Sequence, residues 1–349
     1  FINVPIGIIN LILVSRFVED PVYLIRRKGE IDWLGLALMI IGLGAFQLML
    51  EEGSKNDWFQ SGYIVRLSVI AGAGLLFFVW RELKTNRPAV DLRILRNASF
   101  SSATALGGVL GMALNGSLFL LPLFLQNLLG YTAFKSGLAM MPRSLAMAVI
   151  MPIGGRFYNR LGPRLLVGSG LAVTGVSFLM LSHLTNEIGY WDIFWPQVLQ
   201  GVGFSLIFVA LSTAALSTIA KPEITAATGL YNVSRQVFGS IGIAIAATQL
   251  TSGITRNHAI LAEQAGQANP AAVAWLSRVT GAMMARSGGD VAVAHQQALK
   301  LLDGMVTREA AVISYNSVFV LVALLFVFAL PLVFFLKRGH PAEGEMMLE

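Results

Sequence analysis

The chain has 349 residues, of which 55% are hydrophobic and only 13% charged, with a mean hydropathy of +0.69. A water-soluble domain carries about 25% charged residues, so lipid is the natural solvent of this one; its +6 net charge and pI near 9.7 report membrane topology before they suggest nucleic acid. With no cysteine in the sequence, disulfides, thiolate metal sites and cysteine nucleophiles are excluded.

Crossing a hydrocarbon core of about 30 Å takes about 20 helical residues, and only helices or closed barrels satisfy their backbone there. Nine apolar segments meet that need: Phe1 to Phe17, Trp33 to Leu50, Tyr63 to Arg81, Phe100 to Leu125, Gly137 to Gly155, Leu165 to Thr185, Ile193 to Ile219, Thr225 to Thr251 and Val312 to Leu336. None alternates as a barrel strand would, so the predicted fold is all-α, a polytopic transmembrane helix bundle. The sequence opens at Phe1, inside the first apolar run, and reads as truncated at its N terminus.

Following the chain through these spans sorts the basic residues by side. One face receives fifteen: Arg16, Arg26, Arg27, Lys28, Arg81, Lys84, Arg87, Arg93, Arg96, Arg156, Arg160, Arg164, Lys221, Lys337 and Arg338. Short connections on the other hold only Lys55, Arg66 and Lys135. The rich face is therefore expected to be cytoplasmic, with the C terminus inside. Trp33, Trp58, Trp80, Trp191 and Trp195 fall at span ends, as interfacial anchors do. The stretch GGRFYNRLGPR, Gly154 to Arg164, becomes a tight cytoplasmic turn that holds its arginines at headgroup level.

Inside the spans, Gly107 with Gly111, Gly201 with Gly203 and Gly239 with Gly242 offer small faces for close helix contact. Polar residues there are costly and should face a cavity or a partner. Arg235 lies about ten residues, hence about 15 Å, from the cytoplasmic end of its span, and Arg143 about six residues, or about 9 Å, from the outer end of its own. Snorkelling could rescue Arg143 but hardly Arg235. Asn232, Arg235, Gln236 and Gly239 share one helical face by their i, i+3, i+4, i+7 spacing. Gln197 and Gln200 place amides on the preceding span, and Asn115, Gln126 and Asn127 on the first span of the last six. These residues are candidates for the lining or gate of a central cavity; interhelical hydrogen-bond glue is the competing reading for the amides.

Other chemistries find little support. The spans hold no carboxylate to titrate; Glu51 and Glu52 mark an outer rim, and His183 sits near an outer end. There is no G-x-x-x-x-G-K-[ST], HExxH or GxSxG motif. His258, His295 and His340 lack ligand spacing, and the N-x-S/T matches at Asn97, Asn115 and Asn232 are cytoplasmic or within spans. No cofactor, metal or nucleic-acid partner is expected. Ser252 to Ala311 reads as a long outer segment with helical periodicity at Trp275, Val279 and Met283 and at Ala294, Ala298, Leu301 and Met305, divided by Gly288 and Gly289.

The decade Gly155 to Arg164 resembles the G-x-L-x-D-R-x-G-x-[RK] loop of the major facilitator superfamily through Gly155, Arg156, Asn159, Arg160, Gly162 and Arg164, with Asn159 in place of the usual aspartate. FINVPIG at Phe1, LEEGSKNDWF at Leu50, LPLFLQNLLGYTAFKSGLAMMP at Leu121, WPQVLQGVG at Trp195 and NVSRQVFGSIG at Asn232 extend the likeness to its fourteen-span drug:proton antiporters of the EmrB/QacA type. The resemblance implies that 1–17 is the last span of an N-terminal bundle, 18–99 a two-span insert, and 100–349 a six-helix bundle with a periplasmic loop at 252–311. It further implies proton-coupled export of amphipathic or hydrophobic small molecules by alternating access across a bacterial inner membrane. A periplasmic adaptor and an outer-membrane channel would be partners, and the coupling carboxylate would stand on a span that precedes Phe1. A gradient-driven importer of the same superfamily, or a membrane-embedded enzyme or scaffold, is the alternative.

Overall fold

The computed structural model describes residues 3–17, 32–85, 90–185, 187–220, 223–266, 269–284 and 290–336, with the side chains of Asn3 and Asn159 also outside the described set. Of the residues assigned above to the cytoplasmic face, Arg26, Arg27, Lys28, Arg87, Lys221, Lys337 and Arg338 lie outside it, as do His340, Gly288 and Gly289.

The described residues form helices α1 (Asn3–Phe17), α2 (Trp33–Gly53), α3 (Gly62–Lys84), α4 (Ala98–Asn127), α5 (Ala133–Leu181), α6 (Tyr190–Leu216), α7 (Ile224–Gln264), α8 (Pro270–Met284) and α9 (Val291–Ala329), joined by short 3-10 turns. Eight helical segments are long and apolar enough to cross a membrane, because α5 is two helices. Gly162, at φ 76°, breaks it in the glycine-favoured region, and Pro163 starts the second half, where a missing N–H costs nothing. The expected turn is thus a single residue wide. α1 has 15 described residues, about 22 Å at helical rise and short of the hydrocarbon core, and it is exposed from Val4 to Phe17.

Two expectations about the outer segment change. α7 does not end near Thr251 but runs to Gln264, and α9 begins at Val291, far ahead of Val312. At 41 residues α7 is about 60 Å long, twice the bilayer core, so both flanking spans stand out of the membrane as continuous rods. No proline interrupts α7; its C-cap, Ala265, is followed by Gly266. His258 Nε2 lies 2.9 Å from Asp303 Oδ1 across the two rods. α8 packs on α9, where Ala294 and Ala298 are fully buried; Leu301 and Met305, expected on the same face, are exposed.

Packing in lipid depends on close fit rather than on hydrophobic force. The core lies between α4, α5, α6 and α9, where Phe100, Phe124, Phe178, Phe204, Phe319 and Phe326 are fully buried. Phe178 stacks on Phe326 with ring centres 5.8 Å apart. α2 and α3 cross at Gly42 and Gly74, whose backbones touch. This hairpin docks on α7 through Trp58, whose Nε1 donates to Thr248 Oγ1 at 3.0 Å. Trp33, Trp80, Trp191 and Trp195 remain exposed at helix ends, where the bilayer interface accepts an amphipathic ring.

Helix ends assigned to one face meet one another. Asp32 caps α2 by accepting from Gly35 N–H at 2.9 Å and receives a fork of bonds from Arg81 at 2.8 to 3.0 Å. These bonds, that of Arg81 first, hold the Asp32 carboxyl below the usual carboxylate range. Asn97 caps α4 by accepting from Ser99 and Phe100 N–H, which gives that N-x-S/T match a structural reason, and its amide reaches Thr218 at the end of α6. Arg164 Nε donates to the carbonyl of Leu336 at 2.7 Å, so a loop arginine satisfies a carbonyl where the α9 rod ends. At the opposite end, Arg308 Nη2 donates to the carbonyl of Leu128 at 3.0 Å and Asn316 Nδ2 to that of Leu184 at 2.9 Å.

Candidate functional site

The polar residues predicted inside the spans gather in two places rather than one. The first is a buried knot between α4, α5 and α6. Arg143 is 3% exposed, and its Nη1 donates to Ser117 Oγ at 3.1 Å and to Gln200 Oε1 at 3.4 Å. Ser117 Oγ also donates to Gln200 Oε1, at 3.2 Å. Gln197, about one turn earlier on α6, is fully buried, and both its amide atoms and Gln200 Nε2 lack a hydrogen-bond partner.

Local sequence explains how the helices come so close. Pro142 cannot donate its backbone hydrogen bond and loosens α5 just ahead of Arg143. Gly201, bare of side chain, lets α6 rest directly on the carbonyl of Arg143 and on Ala146. On the other side of α6, Gly203 meets Gly170 and Thr174 of the second half of α5. The tripeptide Gly-Val-Gly therefore seats α6 between the two halves of its neighbour.

The second place is the seam between α4 and α7. An added Cβ at Gly111 would lie 2.5 Å from the carbonyl oxygen of Arg235, and at Gly242 it would lie 2.5 Å from the backbone of Met112. Gly239 accommodates the amide of Asn115. The Arg235 side chain is half-buried, with its guanidinium carbon 5.0 Å from the ring centre of Phe208 on α6, a cation–π arrangement. Asn232 and Gln236 stand exposed beside it on the outer surface of α7.

The depth of Arg143 differs from expectation, whereas that of Arg235, eleven residues from the start of α7, is close to it. α5 starts at Ala133, ten residues before Arg143 and so about 15 Å away; that arginine does not snorkel but sits deep and enclosed. Arg235 is the one with an open side. Gln126, exposed at the last turn of α4, is nine residues from Ser117, about 13 Å, and belongs to neither place. Gly155, Arg156 and Arg160 are exposed at the loop, apart from both. Sequence reading passed over Ser117, an ordinary serine in an apolar span, and Glu82, a carboxylate 2% exposed in the last turn of α3 that accepts from Val90 N–H at 3.3 Å. Among the described residues no group of three or more His, Asp or Glu could hold a metal ion. The arrangement can bind and release; it has no nucleophile paired with a base.

Comparison with known proteins agrees in kind. Residues 1–243 match the Major Facilitator Superfamily. The chain is 34% identical over 346 residues to "Multidrug export protein EmrB" of Escherichia coli K12, covering 99% of this chain and 65% of that protein. It is 32% identical over 347 residues to "Fatty acid resistance protein FarB" of Neisseria gonorrhoeae, covering 99% and 66%. It is 27% identical over 349 residues to "Probable multidrug resistance protein EmrY" of E. coli K12, covering 98% and 65%. The chain thus spans about 65% of the length of these curated relatives.

Proposed function

Because the chain belongs to the major facilitator superfamily, and is therefore a multi-pass membrane protein, we propose that the whole protein exports amphipathic or hydrophobic small molecules. Export would be coupled to protons and would proceed by alternating access of a central site. The observation that carries this reading is the pair of guanidinium groups, Arg143 and Arg235, set with amides inside spans that are otherwise apolar. Such costly groups suit a passage that is wetted in turn from each side, and the residues around them suit recognition rather than bond making. The names of the relatives, two of them multidrug proteins and one a fatty acid resistance protein, support the outward direction.

In this reading Asn115, Arg143, Gln197, Gln200, Asn232, Arg235 and Gln236 line or gate the passage, while the loop from Gly155 to Arg164 braces the cytoplasmic end through Arg164 and Leu336. The bundle from α4 to α9 would rock as a unit, with the α2–α3 hairpin carried on α7 by Trp58. The C terminus would be cytoplasmic in a bacterial inner membrane, and the α7 and α9 rods with α8 would face the periplasm, where an adaptor protein leading to an outer-membrane channel could dock. Among the described residues proposed to line the passage none is a carboxylate, so the group that carries the proton would belong to another part of the whole protein.

The test is retention of Nile red by pump-deficient cells that produce the whole protein. Energised cells should hold less dye than control cells, and an uncoupler should abolish the difference. Greater accumulation, or exclusion that ignores the uncoupler, would overturn the proposal.

A further inference from the structure

We propose that Arg143 and Arg235 are two stations for the anionic head of the transported molecule, so that the passage selects amphipathic acids over amphipathic cations. This rests on the exporter reading and names the charge class of its substrate.

Charge balance is the first reason. Along the apolar stretches 98–127, 137–155, 165–185, 193–219, 225–251 and 312–336 the sequence holds Arg143 and Arg235 and not one Asp or Glu. A cation in a low-dielectric interior is expensive unless an anion accompanies it. Neither arginine receives one from the described spans: Arg143 is met by a serine hydroxyl and an amide oxygen, and Arg235 by the face of Phe208. Their compensation would have to arrive from outside the bundle.

Donor balance is the second. Gln200, whose oxygen accepts from Arg143, has no acceptor for its own Nε2 although its side chain is fully buried, and on fully buried Gln197 both amide atoms are unpartnered. Beside the guanidinium, then, an amide donor stands idle while the amide oxygen there is shared between Arg143 and Ser117, so donors exceed acceptors at that point. A carboxylate reverses that: it accepts through two oxygens and fits the guanidinium fork. The serine and glutamine oxygens that Arg143 now uses are then stand-ins.

Placement is the third. Arg143 is tied to Gln200, and Arg235 lies over Phe208 of the same helix; eight residues of α6 separate the two, about 12 Å along the membrane normal. Arg235 has the open side and Arg143 is enclosed. An acid would meet Arg235 first, with its tail against Phe208, and reach Arg143 once α6 parts from α5 or α4. Acids of this path are never held by a carboxylate, and a cationic amphiphile meets two like charges in succession.

The test is equilibrium binding of radiolabelled decanoate and decyltrimethylammonium, equal in chain length, to the protein in nanodiscs of zwitterionic lipid. Decanoate should bind at least tenfold tighter than the cation. Arg235→Gln should weaken decanoate at least tenfold and leave the cation within twofold, with Arg235→Lys intermediate; Arg143→Gln should act in the same direction. Arg66→Gln, an exposed outer arginine, should change nothing, which separates the stations from the general positive charge of the protein. Tighter binding of the cation, or unchanged decanoate binding in Arg235→Gln, would overturn the assignment while leaving export intact. Failure of both amphiphiles and Nile red to bind would overturn the exporter reading itself.

Discussion

Arg143→Leu is expected to melt at or above the temperature of the unaltered protein while losing at least nine-tenths of its transport. Leucine forfeits a bond from a charged donor to Ser117 at 3.1 Å, about 1.5 kcal/mol, and a longer, weaker one to Gln200 at 3.4 Å. The Ser117–Gln200 bond at 3.2 Å survives the change. Against that loss stands removal of a buried cation with no carboxylate beside it, and exchange of buried charge for apolar side chains is often neutral or stabilising by about 1–4 kcal/mol. A residue kept for binding shows this signature, stable without it but idle. A structural pin shows the reverse, so a drop in melting temperature of about 5 °C or more with transport retained would place Arg143 among the packing residues. The pairing of a melt with a transport assay is therefore decisive where either alone is not.

Gly201→Ala should be the most damaging single methyl group in the bundle. The new Cβ would press on the carbonyl oxygen of Arg143 and on Ala146, and a carbonyl in a helix cannot swing aside as a side chain does. α6 would have to move off α5, on which it packs closely, and because Gly203 holds it from the other half of α5 there is no free direction to take. Overpacking of this kind costs about 1–3 kcal/mol, and displacement would also pull Gln200 from Arg143. Gly44→Ala makes the control: nothing lies within 4 Å of the added atom, so the helical preference of alanine should stabilise α2 by about 0.5–1 kcal/mol. Thermal melts of the two variants in detergent should move in opposite directions. Equal melting temperatures would mean that the α5–α6 contact is looser than described.

Much of the fold was legible before the structure, and what was hidden has a common cause. Eight of the nine expected spans and their order follow from runs of apolar residues, the exception being α1 with 15 described residues, and the break at Gly162 lies in the expected turn GGRFYNRLGPR. Depth along a helix can also be counted, which is why Arg235 was expected near mid-membrane. Rotation about the helix axis cannot. In water an apolar stripe tells which face is inside, but in lipid the outer face is apolar too, as at Val176 and Phe328, both more than half exposed. Hence nothing in the sequence showed that Arg143 turns inward to Ser117 while Gln236 turns outward, or that Gln126 stands apart. The rods of α7 and α9 were missed for another reason: apolarity stops near Thr251 and starts near Val312, but helical propensity does not, and span counting measures only the first. Asn97 is a further case, a residue whose N-x-S/T match was set aside and whose side chain caps a helix.

The central claim is that the polar face of α7 borders a passage wetted by water rather than lipid. The chain has no cysteine, so single substitutions report cleanly. Asn232→Cys and Gln236→Cys should react with a membrane-impermeant maleimide in native vesicles and be shielded by bound substrate, while Val176→Cys should stay unlabelled. Should Asn232→Cys and Gln236→Cys resist the impermeant reagent and yield only to a lipid-soluble one, that face lies against the bilayer and the passage described here does not exist.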